Sequence, residues 1–148
     1  MGRYVASGGR DRTVRVWEAD TTGYRSMYRG HTDTVTALAW SPDGTSLASA
    51  SDDGTIQVWD GETEQLQIRY SAHTEPVVAV VWSPDARYIA SGSWDTTVQV
   101  WEVSTGRCVQ TYRGHSNWVN ALSWPANSRY IASGSWDKTV QVWQAVSL

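Results

Sequence analysis

The segment SGSWDTTVQVW at residues 91–101 returns as SGSWDKTVQVW at 133–143, with Lys138 in place of Thr96. Weaker copies stand upstream, SASDDGTIQVW at 49–59 and SGGRDRTVRVW at 7–17, so four phrases share one 42-residue grid. A period of that length constrains the fold strongly. Each unit is one supersecondary element that cannot bury its own faces, so the copies must stack to make a core. Aligned on the grid, four columns hold without exception: Ser7, Ser49, Ser91, Ser133; Asp11, Asp53, Asp95, Asp137; Thr13, Thr55, Thr97, Thr139; and Trp17, Trp59, Trp101, Trp143. Three further columns have three members each: His31, His73, His115; Trp40, Trp82, Trp124; and Pro42, Pro84, Pro125, the last displaced by one residue.

Within a unit the apolar residues alternate and turn residues bound each run, the pattern of short strands. TVTALAW ends at SPDG, SLASAS ends at the tight-turn signal DDG, TIQVW ends at DGETEQ, and LQIRY closes the unit before the next His. Four short antiparallel strands make one twisted sheet. No segment carries a helical period, so the fold is all-β.

A unit of this length with four strands is the signature of a propeller blade. The chain resembles the WD-repeat β-propeller family. Gly30-His31, Ala72-His73 and Gly114-His115 open units and Trp59-Asp60 closes one, while Trp17-Glu18, Trp101-Glu102 and Trp143-Gln144 depart from the closing Asp. The fold expected is an all-β propeller of four-stranded antiparallel blades, incomplete in one chain. It forms a single domain over 1–148, with a partial unit 1–17, units 18–59, 60–101 and 102–143, and a tail 144–148. With strands named a (inner) to d (outer), the chain opens in a b strand, YVASGG, and closes in a c strand, TVQVW, for fourteen strands in all. The first blade then lacks its inner strand and the last its outer one. Bare sheet edges and faces are liabilities, so self-association is expected to close the ring. The expected form is a two-fold homodimer with eight blades. A four-bladed monomer is the rival.

Composition narrows the function. The formal charge is -3, and the basic residues are eleven scattered Arg and one Lys, without the basic run of a nucleic-acid footprint. Cys108 stands alone, which excludes an intramolecular disulfide and a thiolate-rich metal site. No apolar run approaches the roughly 18 residues of a membrane span, and MGRYVASGG lacks the apolar core of a signal peptide. The expectation is a soluble, cytoplasmic protein that binds neither nucleic acid nor membrane.

Each complete unit contains His, Ser and Asp: His31, Ser49, Asp53; His73, Ser91, Asp95; His115, Ser133, Asp137. One such set would suggest a hydrolase, in which a carboxylate orients an imidazole against a nucleophilic hydroxyl. Here the set recurs three times and always ends with a Trp six residues past the Asp. An enzyme needs one site, whereas a repeat needs one brace per blade. Resemblance to the family implies the same, a buried network joining Trp59, Trp101 and Trp143 to these sets, with Ser7, Asp11 and Trp17 as its counterpart in the partial first unit. No catalytic residue and no cofactor are expected. His31, His73 and His115 lack the short spacings of a zinc site, so no metal is expected either.

Seven of ten Trp are thereby accounted for by the columns. Trp94, Trp118 and Trp136 are left over. Trp94 and Trp136 precede the turn Asp, and Trp118 follows a Gly-His dipeptide by three residues. In propellers resembling this one both loops open on the rim where partners bind, and exposed Trp matches the make-up of binding hot spots. Arg10, Thr34, Thr36, Asp52 and Asn120, with Asp33, Glu75 and Asn117, would complete that face. The three indoles could instead pack on one another or be buried by self-association. The function expected is a non-catalytic scaffold for interaction with itself and with other proteins or peptides. The alternatives are a purely structural self-assembling module, natural or engineered, and more remotely a hydrolase.

Overall fold

A computed structural model of the chain describes residues 4–20, 24–71, 73–126 and 129–145. Ala72 of the second unit-opening dipeptide, and residues 1–3 and 146–148 at the domain's ends, lie outside the described residues. Fourteen strands form four antiparallel sheets, and no helix occurs among the described residues. The first sheet holds β1 (Tyr4–Gly8), β2 (Val14–Glu18) and β3 (Tyr24–Tyr28). The second holds β4 (Val35–Trp40), β5 (Ser46–Ser51), β6 (Thr55–Asp60) and β7 (Leu66–Ser71). The third holds β8 (Val77–Trp82), β9 (Tyr88–Ser93), β10 (Val98–Glu102) and β11 (Arg107–Tyr112). The fourth holds β12 (Val119–Ser123), β13 (Tyr130–Ser135) and β14 (Val140–Gln144). The sequence repeat and the sheet are out of phase. β3 falls in the unit 18–59 yet pairs with β2, so each repeat contributes its first strand to the sheet before it.

Hydrogen bonds of the repeated Asp set the hairpin between the second and third strands of each sheet. Asp53 Oδ1 accepts from the Thr55 backbone N–H at 2.8 Å and from its hydroxyl at 2.6 Å, while the Ser51 hydroxyl accepts from Asp53 N–H at 3.0 Å. The same turn holds Thr13 on Asp11, Thr97 on Asp95 and Thr139 on Asp137. The residue between Asp and Thr is left-handed in all four: Arg12, Gly54, Thr96 and Lys138. Gly alone takes that conformation without cost, so the side-chain bonds hold three of the four turns against backbone preference.

Strand alternation gives each sheet two apolar faces, and neighbouring sheets cover them. Val14 and Val16 of the first sheet pack against Val35, Leu47 and Trp59 of the second. Ala48, Ala50, Ile56 and Val58 of the second meet Val77, Val80, Trp82 and Ile89 of the third. Tyr88, Ala90, Val98 and Val100 of the third meet Val119, Trp124, Ile131 and Trp143 of the fourth. The column of Trp40, Trp82 and Trp124 belongs to these contacts, and Trp82 Nε1 donates across the gap to the Ala39 carbonyl at 2.9 Å. Burial therefore depends on what stacks next door. Val98 and Val100 are fully buried, whereas their counterparts Val140 and Val142 are 75% and 67% exposed. On the opposite flank Val5 is 55% exposed, where its counterpart Ile131 is buried.

Candidate functional site

Three buried hydrogen-bond chains run from indole to carboxylate. Trp59 Nε1 donates to Ser49 Oγ at 3.0 Å, Ser49 Oγ lies 2.6 Å from His31 Nε2, and His31 Nδ1 lies 3.0 Å from Asp53 Oδ2. Trp101, Ser91, His73 and Asp95 repeat it at 3.2, 2.7 and 2.7 Å. Trp143, Ser133, His115 and Asp137 repeat it at 3.1, 2.7 and 2.8 Å. The consistent tautomer is Nδ1–H donating to the carboxylate and Nε2 accepting from the serine hydroxyl, whose oxygen accepts from the indole. Asp53 and Asp137 also accept from the backbone N–H of Thr32 and Ser116, which pins the loop entering the next strand.

At His31 and Asp53 the electrostatics favour a neutral imidazole beside an ionised carboxylate. Burial lowers the His31 pKa, against the opposing pull of Asp53. Burial pushes the Asp95 carboxyl up, yet hydrogen bonds from His73 and Thr97 outweigh it and hold it down to about 2. Asp53 is lowered by the same balance, and Asp137 is lowered chiefly by the Thr139 hydroxyl. Although this is the hydrogen-bond order of a nucleophilic triad, Ser49, Ser91 and Ser133 are each 0% exposed, with the hydroxyl oxygen already taken by an indole. A substrate carbonyl has no approach to them.

The first sheet differs. Trp17 Nε1 donates to Ser7 Oγ at 2.9 Å, and Asp11 Oδ1 accepts from Thr13, but no histidine belongs to this sheet. Arg15 instead reaches Asp11 Oδ2 at 3.1 Å. Ser7 and Asp11 are exposed there.

Two more columns belong to the network and carried a signal in the grid: Tyr28, Tyr70, Tyr112 and Gln57, Gln99, Gln141. Each Tyr lies at or next to the end of the outer strand of one sheet and stacks on the network Trp of the next: Tyr28 on Trp59 at 4.7 Å, Tyr70 on Trp101 at 4.9 Å, Tyr112 on Trp143 at 4.4 Å. Gln57 and Gln141 donate to the Gly30 and Gly114 carbonyls, each at 3.2 Å. A Cβ on Gly30 would run into the Trp59 ring and Gln57, and one on Gly114 into Tyr112 and Gln141, whereas the second unit has Ala72 at this place.

The leftover Trp residues come together on one rim. Trp94 and Trp118 stack at 3.9 Å with planes 6° apart, and Trp136 tilts against Trp118 at 4.7 Å. Trp136 is 58% exposed, while Trp94 and Trp118 are half-buried, as Trp17 and Trp40 are. With its amide turned so that both neighbours are satisfied, Asn120 supports the exposed ring, its oxygen accepting from Trp136 Nε1 at 2.9 Å and its nitrogen donating to the Gly134 carbonyl. Asn120 is a bulge residue, as Thr36 is, and a bulge re-aims a side chain. The Thr36 hydroxyl lies between the carbonyls of Ala50 and Val77, so it bridges two sheets. The Thr34 carbonyl accepts from Asp52 N–H at 2.9 Å, the bond that Trp118 and Trp136 repeat. Arg10 is exposed on the first sheet's turn. Among the described residues no three of His, Cys, Asp and Glu converge as metal ligands.

Stacked antiparallel sheets of three or four strands, braced by repeated Trp–Ser–His–Asp chains, define a repeat protein of propeller type. The family model for the WD domain, G-beta repeat, matches residues 1–18, 24–60, 64–102 and 106–144, and the chain belongs to that family. It is similar to coronin-7 of Mus musculus, 48% identical over 44 residues, 30% of this chain and 5% of that protein. It is also similar to nuclear distribution protein PAC1 of Mycosarcoma maydis, 41% identical over 46 residues, 31% of this chain and 10% of that protein. Ribosome assembly protein 4 of Chaetomium thermophilum is 40% identical over 43 residues, 29% of this chain and 8% of that protein. The likeness thus spans about one repeat and a small fraction of each relative.

Proposed function

We propose that the chain is a non-catalytic interaction scaffold whose rim binds a partner protein or peptide through Trp118 and Trp136, with Trp94 as their support. The observation that carries this reading is the run of three touching indoles with the outermost one open to solvent. No grid column calls for Trp at these positions. Large, rigid aromatic surface is what binding hot spots use. Panning a random peptide library on the protein tests it. Peptides that bind the parent and lose binding to the Trp94→Ser, Trp136→Ser pair support the reading. A pair variant that keeps every selected peptide overturns it.

The open flanks support self-association. Val140 and Val142 on the fourth sheet occupy the positions that bury Val98 and Val100 in the third, and covering such surface is worth about 25 cal/mol per Å². A second copy that sets its first sheet on this face, and receives the reciprocal contact, closes an eight-bladed two-fold ring. Native mass spectrometry is expected to find twice the chain mass of 16.4 kDa. A well-folded species of one chain's mass at micromolar concentration, stable to dilution, rules it out.

A further inference from the structure

The rim on which the indoles stand changes character from sheet to sheet. The second sheet brings Asp52 to the grid position where the third and fourth bring Trp94 and Trp136, and Asp33 and Glu75 share the position that Asn117 fills next to Trp118. Repeated backbone bonds fix the order along the rim. Asp52 N–H donates to the Thr34 carbonyl at 2.9 Å, and Trp94 N–H to the Pro76 carbonyl at 3.1 Å. Glu75 stands between these two turns. Its carbonyl accepts from the Ser93 hydroxyl at 3.3 Å, and a Cβ on Gly54 would lie 3.7 Å from the same oxygen. Asp33, Asp52 and Glu75 therefore lead into the Trp94–Trp118 stack. The second and third sheets are covered on both sides, so this stretch of rim is complete.

Asp33 and Glu75 are exposed, and Asp52 is half-buried. Among the described residues none of the three pairs with a Lys, Arg or His side chain. Burial raises the Asp52 pKa, and the charges of Asp33 and Asp53 raise it further, with no cation acting against them. Uncompensated negative charge beside large aromatic surface is complementary to a ligand that is both cationic and apolar. Building on the reading of the rim as a docking surface, we propose that its partner is a basic polypeptide segment. Lys or Arg side chains of that segment pair with Asp33, Asp52 and Glu75, while an adjacent apolar or aromatic side chain lies on the indoles. The same carboxylates repel acidic and phosphorylated segments, so charge selects the partner and the rings hold it.

The probe is a random peptide library of neutral mean charge, panned on the parent protein. Bound peptides are expected to be enriched in Lys and Arg within a few residues of an aromatic or branched apolar side chain. A protein with Asp33→Asn, Asp52→Asn and Glu75→Gln keeps an acceptor for Thr34 N–H and is expected to melt no lower than the parent. It should bind the selected peptides roughly tenfold more weakly, as three lost exposed charge pairs imply. Affinity for the parent should fall as salt rises from about 0.05 to about 0.5 M. Selection without enrichment in Lys and Arg overturns the proposal, and so does equal binding to the neutralised protein. In either case, peptides lost by the Trp94→Ser, Trp136→Ser pair leave the docking surface itself standing. A parent that selects no peptide removes both.

Discussion

Trp94 and Trp118 belong to neighbouring sheets, yet their rings lie face to face with centroids 3.9 Å apart. The stack joins the third and fourth sheets at the rim and leaves Trp136 as the projecting ring. Two parallel indoles so close couple their transitions, so the far-ultraviolet circular dichroism should show an exciton couplet. Trp118→Ala is expected to abolish it and to cost about 0.5–1.5 kcal/mol beyond lost area. Trp136→Ser, at an exposed position, should change stability by no more than about 0.5 kcal/mol. A couplet that survives Trp118→Ala would show that the stack is not its source.

The buried braces should behave as structure. Asp95→Ala leaves His73 and the Thr97 hydroxyl without their acceptor, and an unsatisfied buried partner costs about 1–3 kcal/mol. Asp53→Ala should act alike, with a melting temperature lowered by several degrees in each case. Asp11→Ala, which loosens the turn at Arg12 but strands no histidine, should lower the melting temperature less than either. An Asp95→Ala protein that melts like the parent contradicts the assignment, as would ester hydrolysis lost in one variant alone.

Acid should unfold the protein in two stages. Folded His31 takes up a proton less readily than the unfolded chain, so stability is full above the ordinary value of 6.5 and declines as the pH falls below it. Asp53 and Asp95 release their protons more readily when folded, so a second loss begins below the ordinary value of 3.8 and continues, for Asp95, down to about 2. Thermal melts across this range check the sign. A melting temperature that rises as the pH is taken from about 7 down to about 5 would be the wrong direction.

Val100 and Val142 sit at one grid position in two environments, fully buried and 67% exposed. Val100→Glu places an uncompensated charge between two sheets and is expected to prevent folding. Val142→Glu should leave the fold and the melting temperature of a dissociated chain intact while abolishing self-association. Sedimentation velocity on the two variants separates these effects, and a Val142→Glu protein that keeps the parent's mass argues against that face as the interface.

The strands, their order and the recurring Trp, Ser, His and Asp sets were legible in the sequence. Period-two alternation is a local property, and a brace such as His73, Ser91, Asp95, Trp101 announces itself by recurring at fixed spacing. The turn at Asp53 was legible for the same reason, since its bonds run between residues two apart. The same grid also contained the Tyr28 and Gln57 columns, but their partners lie across a sheet boundary or on another strand, and spacing alone names no partner. Tertiary structure decided what depends on neighbours. It put Trp94 against Trp118, turned Thr36 into a bridge between sheets, left Ser7 and Asp11 exposed, and gave Val142 an exposure that the equivalent Val100 lacks. The physical reason is that a repeat writes the same residues into every unit, whereas burial is conferred by the sheet that stacks on it, and the first and fourth sheets each have a described neighbour on one side alone.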